Sequence, residues 1–546
     1  MSTRTSSRAN KGQDNRDKLY AFLTTLLANG KEGVEPYEPR DLREARHDIM
    51  WEEWLQAMRE EHESLVENNT WTLVDRPDDR KVLSGKWVHK LKRGPDGKVV
   101  RYKARWVVRG FEQLEGLEYH DTFASVVKPM SYKALFALAA AHDLEIEQMD
   151  VKTAFLYGTI SEEIYVEQPP EMSDGTNRVC RLNRALYGLK QSPRVWYETL
   201  SNHLGKLGYR PIDSDLSVFQ RGNTFIAVYV DDLLLIGPNK GDIQRVKDAL
   251  SSTFRMTDLG ACKYYLGMTV RRDRPNRTIH LGQRAYIENV LRDFDMWEVR
   301  PVATPMDQTK LAAADEDYKC DPDHRIRYQS AVGSLMYAML GTRPDLAFAV
   351  SVVSRYAANP TESHWKAVKR IFRYLKGTID FELAYKGDLQ KLRGYSDADW
   401  AGDLDTRRST SGYVFNVGSG AISWLSKRQA TVALSSCEAE YQAETQATKE
   451  AIWLQGLLQH LTGEQPQATI IYCDNQGAIA LAKNPQFHAR TKHIDIQHHF
   501  VREKVAEGKV QLSYIPTDKQ IADGLTKALP KDRFVQFRKA LGLWGP

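Results

Sequence analysis

The sequence concentrates its chemistry in acidic residues that interrupt apolar stretches. Asp231 and Asp232 sit in the middle of FIAVYVDDLLLIG, with apolar residues on both sides. Carboxylates in such a setting lose hydration and repel each other unless a cation compensates. Asp150 closes another apolar stretch, LEIEQMDV. Hard divalent cations take oxygen ligands, and a pair of them can activate a hydroxyl and steady a leaving oxyanion. A second acidic set lies far downstream: Asp397 in GYSDADWAGD, Glu438 in LSSCEAEYQA, Asp474 in TIIYCDNQGAI and Asp523 in KQIADGLTKAL. On the residues alone, Asp399, Asp403 and Glu440 compete as neighbours, and Asp474 is equally suited to cap the helix that follows it. Spacing along the chain cannot show convergence. Four acids from four elements meet only in a folded domain.

The elements that must position these acids are legible as patterns. FIAVYVDDLLLIG reads as two strands of a hairpin with the acids at its tip, and LEIEQMDV as a buried strand. Upstream, REARHDIMWEEWLQAMREEHESLVENNTW carries apolar residues at helical intervals. SGKWVHKLKR and KVVRYKARWVVRGF alternate about GPDG, a hairpin signal. Helices are expected from Ser131 to Ala141, within residues 180 to 208, over 242 to 255, and through most of Gln283 to Thr378. ACKYYLGMTVRR reads as strands. Beyond the linker KGDLQKLRG the order becomes three strands, helix, strand, two helices, strand and helix, with Asp397 in a strand, Asp474 at a strand end and Asp523 on the last helix.

The chain has 546 residues, 42% hydrophobic and 27% charged, which describes globular domains. The net charge of +5 is small, but Lys and Arg crowd Lys81 to Arg109 and Arg181 to Arg194, as a nucleic-acid groove requires. The five cysteines are scattered without zinc spacing, which fits free thiols in a reducing compartment. The polar N-terminus lacks the apolar core of a secretory signal, and no apolar run approaches a membrane span.

Tyr229-Val230-Asp231-Asp232 matches the reverse-transcriptase signature of Tyr, any residue, Asp, Asp. DVKTAFLYG, EEIYVEQPP, LYGLKQSPRVWY and RYKARWVVRGF resemble copia-type sequences in order and spacing. SSCEAEY, CDNQGAIALAKNP, FHARTKHIDI and IADGLTKAL do the same for the C-terminal part. The chain thus resembles the polymerase end of a copia-type LTR retrotransposon Pol polyprotein over about residues 41 to 543. The resemblance implies an α+β and α/β multidomain protein: a right-hand polymerase with fingers, palm and helical thumb, followed by a ribonuclease H-like mixed α/β domain. It divides the chain into a flexible basic tail (1–40), fingers and palm (41–280), thumb and connection (281–385), linker (386–394) and ribonuclease H (395–546).

The resemblance also implies roles. Asp150, Asp231 and Asp232 hold two Mg²⁺ or Mn²⁺ ions at the polymerase site, and Asp397, Glu438, Asp474 and Asp523 hold two at the nuclease site. Glu438 is preferred to Glu440 as the single helix glutamate. Phe155 falls at the steric gate against a ribose 2′-hydroxyl. Lys90 and Arg105 fall at triphosphate contacts. Tyr187, Gly188, Lys190, Ser192 and Pro193 line the nucleotide and template pocket, and Tyr187 stands where retroviral enzymes carry Gln. Leu266-Gly267-Met268 resembles the primer-grip turn. Arg355, His364, Lys366, Lys369, Arg370 and Arg373 offer a basic thumb face. The loop IPTDKQIAD lacks the His that many relatives carry before the last Asp, while His493, His498 and His499 lie nearby in sequence. The implied activity is RNA- and DNA-directed DNA synthesis with degradation of the hybrid's RNA. The implied partners are RNA template, DNA primer and product, RNA–DNA hybrid, dNTPs and a tRNA primer, with monomer and homodimer both open and no membrane. The implied location is intracellular, in cytoplasmic virus-like particles with nuclear access. The alternative is a domesticated or degenerate copy that binds nucleic acid without catalysis.

Overall fold

The computed structural model describes residues 36–93, 98–387, 391–483 and 495–545, with side chains omitted for 495–499. The GPDG turn, most of the basic tail, residues 388–390 of the linker, His493 and the side chains of His498 and His499 lie outside the described residues. By its contacts the chain forms two units. The first takes the chain up to Ser125 with Val151–Gly208 and Ser252–Met256; the second takes Val126–Asp150, Tyr209–Ser251 and everything from Thr257 on. The expected 41–280 segment therefore contributes to both units. The reason lies in the connectivity: the chain leaves the second unit after Asp150 and returns at Tyr209.

The first unit is built on a long hairpin, Gly85–Arg93 against Val99–Val108, in antiparallel register from Gly85↔Val108 through Trp87↔Trp106. Alternation puts Trp87, His89, Ala104 and Trp106 on its buried face. The helix Trp51–Glu67 covers that face, with Trp54 edge-on to Tyr102 at 4.7 Å. The expected upstream helix is broken into Leu42–Arg46 and Trp51–Glu67. Between them the Asp48 carboxylate accepts from the Met50 backbone and from Trp54 Nε1, local bonds that compete with helix continuation.

The second unit begins with the helix Pro129–Ala141, buried on every side from Ser131 to Ala141. A helix that is apolar all round belongs inside a large core. It packs on the strands Thr278–Gly282, Glu382–Lys386 and Gly420–Arg428. The sheet that carries the first acidic set has the order Met256–Ala261, Glu145–Val151, Asp232–Gly237, Thr224–Tyr229, Asp215–Arg221, Arg210–Ile212. Four helices, Arg284–Asp293, Pro322–Gly341, Ala347–Ser354 and Glu362–Gly377, share a core with Phe534 and Phe537. A second five-stranded sheet has the order Gly420–Arg428, Thr410–Val417, Arg393–Ala398, Thr469–Cys473, Val510–Tyr514. Its first three strands are antiparallel and its last pairings parallel. The 27-residue helix Ser436–Thr462 lies against it. Among the described residues no helix is long and apolar enough to cross a membrane.

Candidate active sites

The first acidic set forms at a hairpin tip. Thr224–Tyr229 and Asp232–Gly237 pair antiparallel, closing on Tyr229↔Asp232, and the next strand places Asp150 opposite Asp232. Register thus brings two of the acids side by side from distant parts of the chain, with Asp231 in the two-residue turn. Val230 holds φ +58°. A β-branched residue pays for that conformation, and such strain collects at functional sites. The three acids are half-buried while Leu233 to Ile236 behind them are fully buried. Gln148 Nε2 donates to Asp232 at 3.2 Å. Leu266-Gly267-Met268 forms a tight turn in the same unit, with Leu266 at φ +46° and its carbonyl accepting from the Tyr337 hydroxyl at 2.7 Å.

In the first unit, Arg105, Tyr187 and Phe155 form one stack. The Arg105 guanidinium lies 4.6 Å from the Tyr187 ring centroid, and Phe155 meets Tyr187 edge-on at 4.8 Å. Gly188 sits at φ +95°, and a Cβ there would strike the Val108 carbonyl oxygen. Only glycine lets these backbones approach so closely. Lys190 belongs to a neighbouring network: its ammonium reaches the Tyr119 hydroxyl at 2.9 Å, and its backbone N–H donates to Gln113. Lys90 is engaged elsewhere, paired with Glu38 at 2.5 Å. Burial pushes Glu61 up to about 7, against the pull of Arg105 and Lys103.

The second acidic set converges. Ligand oxygens of Asp397, Asp474 and Asp523 lie within 4.8 Å of one another. Asp397 and Asp523 are almost wholly buried. Burial pushes Asp397 up to about 7 against the pull of Lys527, and the Asp523 and Asp474 charges add to the rise. Lys527 and Arg533 each approach Asp523 at 2.7 Å. Thr526 donates to Asp397, and Thr517 donates to Asp474 at 2.6 Å. Thr517 occupies the loop where the expected His is missing.

The helix glutamate at this cluster is Glu440, and the expectation for Glu438 is corrected. Glu440 is buried, accepts from the Ala398 backbone at 3.1 Å, and shares a second grouping within 4.8 Å with Cys473 and Asp474. Burial, then the Asp397 and Asp474 charges, push it well above the usual carboxylate range. Glu438 instead accepts from the Leu434 backbone at 2.8 Å, while Ser435 caps the Glu438 N–H. Two residues along a helix turn the side chain roughly 200° around its axis, so the two glutamates cannot share a target. Asp523 lies in a 3-10 turn, Ile521–Leu525, rather than on the last helix, Lys531–Ala540. A Cβ on Gly524 would overlap the Phe537 ring, which closes that turn against the helix. Asn475, not Asp474, caps the following helix by accepting from Ala478 at 3.0 Å. Asp403 is taken by Arg355 at 2.9 Å and Arg428 at 3.0 Å, and Asp399 by the Thr410 backbone.

The expected basic face does not form a single solvated stripe. Arg355 is spent on Asp403. His364 is buried in a capping box and accepts from the Thr361 backbone. Arg370 meets Asp307 at 3.3 Å, Arg373 donates to the Arg300 carbonyl, and Lys366 is exposed. Lys527, Arg533, Thr517 and Thr526 were not singled out from sequence; TKAL placed a basic residue four positions after Asp523, the only signal available.

Residues 68–308 match the family described as reverse transcriptase (RNA-dependent DNA polymerase). The chain is 46% identical over 518 residues to the retrovirus-related Pol polyprotein from transposon TNT 1-94 of Nicotiana tabacum, covering 93% of this chain and 39% of that one. It is 39% identical over 546 residues to the Pol polyprotein from transposon RE2 of Arabidopsis thaliana, covering 98% and 36%. A putative transposon Ty5-1 protein of Saccharomyces cerevisiae is 33% identical over 311 residues, 55% of this chain and 100% of that one. The chain spans under two fifths of the length of the plant polyproteins. A foamy viral protease-reverse transcriptase solved with double-stranded DNA overlaps at TM-score 0.45 and 12% identity, covering 85% of this chain and 69% of that one, too distant to carry a structural argument.

Proposed function

The chain belongs to the reverse transcriptase (RNA-dependent DNA polymerase) family of copia-type Pol polyproteins, and on that premise we propose that it copies RNA and DNA templates into DNA and degrades the RNA of the resulting hybrid. The observation that carries the polymerase reading is the strand register that sets Asp150 beside Asp232 under a strained tip bearing Asp231. An all-carboxylate set of this kind suits hard cations such as Mg²⁺ or Mn²⁺. Bound there, two cations would polarise the primer hydroxyl and the leaving pyrophosphate, and in the second set a water and the scissile RNA phosphate.

The chain's own residues do the positioning. The buried strands behind Asp232 hold the carboxylates where they cannot retreat into solvent. Gln148 fixes one Asp232 oxygen. Phe155 and Tyr187 present a ring surface against which a deoxyribose fits and a 2′-hydroxyl collides, while Arg105, held on Tyr187, offers a fork for a triphosphate. Lys90, exposed beside Glu38, supplies a weaker contact. In the C-terminal part, Asp397, Glu440, Asp474 and Asp523 form the nuclease set. Lys527 and Arg533 neutralise Asp523 before cations arrive. Fingers, palm, thumb and ribonuclease H are the corresponding regions, with a tRNA primer and cytoplasmic virus-like particles as the implied setting.

Primer extension on an RNA template with a DNA primer, dNTPs and Mg²⁺ tests the polymerase reading. The parent should extend and Asp231→Asn should not. A parent that binds hybrid without extending would mark a nucleic-acid binder that has lost catalysis.

A further inference from the structure

Behind the nuclease cluster lies a group that the nuclease reading does not use. Glu444 is wholly buried, and among the described residues neither carboxylate oxygen has a partner at hydrogen-bond geometry. Orphaned buried carboxylates are rare, and each requires an explanation such as an ion. Glu444 follows Glu440 by one helical turn on Ser436–Thr462, so both face the same way. Across from them, Cys473 ends the strand Thr469–Cys473 and is buried. Its sulfur lies within 4.8 Å of ligand oxygens of Glu440 and Asp474, and Cys473 also neighbours the Glu444 carboxylate.

The donors thus fall into two overlapping sets. Asp397, Asp474 and Asp523 offer oxygen only, as magnesium requires. Cys473, Glu440, Asp474 and Glu444 offer one sulfur and three carboxylates. Magnesium has little affinity for sulfur, whereas zinc and softer cations prefer it. Zinc binds sulfur at about 2.3 Å and carboxylate oxygen at about 2.0–2.2 Å in four-coordinate sites.

We propose that Cys473, Glu440, Asp474 and Glu444 form a site for a thiophilic divalent cation of the zinc and cadmium class, distinct from the nuclease set but sharing Asp474 and Glu440 with it. Occupation withdraws Asp474 and Glu440 from magnesium, so the cation inhibits RNA cleavage. Only this inhibitory consequence rests on the nuclease reading.

The test is a Cd²⁺ titration of the full chain in excess Mg²⁺, followed by the ultraviolet sulfur-to-cadmium charge-transfer absorption. The site predicts saturation at one Cd²⁺ per chain. The band should vanish in Cys473→Ser and persist in Cys320→Ser, and Glu444→Gln, which leaves the sulfur in place, should weaken binding about tenfold or more. An unchanged band in Cys473→Ser, or unchanged affinity in Glu444→Gln, overturns the proposal. In parallel, Cd²⁺ should stop RNA cleavage by the parent and not by Cys473→Ser. A Cys473-dependent band in a protein that never cleaves RNA upholds the site and removes the nuclease reading instead.

Discussion

Replacing Asp397 by Asn should make the C-terminal part of the cation-free protein more stable at pH 8 than the parent, although it removes a residue assigned to the nuclease. Asp397 is 2% exposed, and burial pushes it up to about 7 from an ordinary value of 3.8. The folded state therefore holds a proton that the unfolded chain has released between about pH 4 and 7. Stability from this group is complete below pH 4 and is lost as pH rises through 7. Each pH unit in that window is worth about 1.4 kcal/mol, so the parent should lose roughly 3 kcal/mol of local stability between pH 5 and pH 8. Asn cannot ionise, and its side-chain carbonyl can still accept from Thr526. In a chain of several domains a global unfolding energy is poorly defined. The assay is therefore native-state hydrogen exchange at the amides of Arg393–Ala398, in EDTA, corrected for intrinsic rates. The parent should lose protection from pH 5 to 8, Asp397→Asn should lose less by the Asp397 share, with buried Glu440 and Glu444 still contributing, and Mg²⁺ should restore the parent more than the variant. Equal pH dependence in the two proteins would refute the assignment of a cation-dependent burial cost to Asp397.

Other expectations follow from single contacts. Arg105→Ala should raise the KM for dNTPs about 10- to 100-fold, the worth of a charge-assisted contact, with a smaller change in kcat; steady-state primer extension reads both. Gly188→Ala should cost the first unit more than about 1 kcal/mol, because φ +95° and the Val108 carbonyl both oppose a Cβ; limited proteolysis of the first unit reports it. Burial pushes Lys133 down to about 7 from 10.5, so the unfolded chain holds a proton that the folded one has lost. Stability should rise as pH climbs from 7 to 10.5, by roughly 5 kcal/mol at most, and Lys133→Met should flatten that rise in hydrogen exchange at the helix Pro129–Ala141.

What could be read from sequence depended on whether local pattern or three-dimensional phase decided the outcome. The hairpin around Asp231 was legible because continuous apolar runs flank the acids, and its short turn sets the pairing that closes on Tyr229 and Asp232. The strand and helix order after residue 394 was legible for the same reason. The choice between Glu438 and Glu440 was not, because helix phase depends on which serine caps the helix. Yet Ser435 followed three residues later by Glu438 is the signature of a capping pair, and it marked Glu438 as structural. Arg355 and His364 appeared as a basic face in sequence. Burial beside Asp403, and in the cap at Thr361, is set by tertiary packing that no helical period encodes. Glu444 gave no signal at all, since a glutamate on a long helix is ordinarily solvated.

The central claim is two separable carboxylate sites in one chain, and one experiment addresses it directly. RNA-template and DNA-product lengths would be followed together for the parent, Asp231→Asn, Glu440→Gln and Glu438→Gln in Mg²⁺. Asp231→Asn should stop DNA synthesis while still cutting a preformed hybrid. Glu440→Gln should synthesise DNA but leave the RNA intact, by a loss well beyond the roughly 10–100-fold of an outer-shell partner. Glu438→Gln should retain both activities. RNA cleavage that survives Glu440→Gln and is abolished by Glu438→Gln, or variants that lose both activities together, would contradict the account.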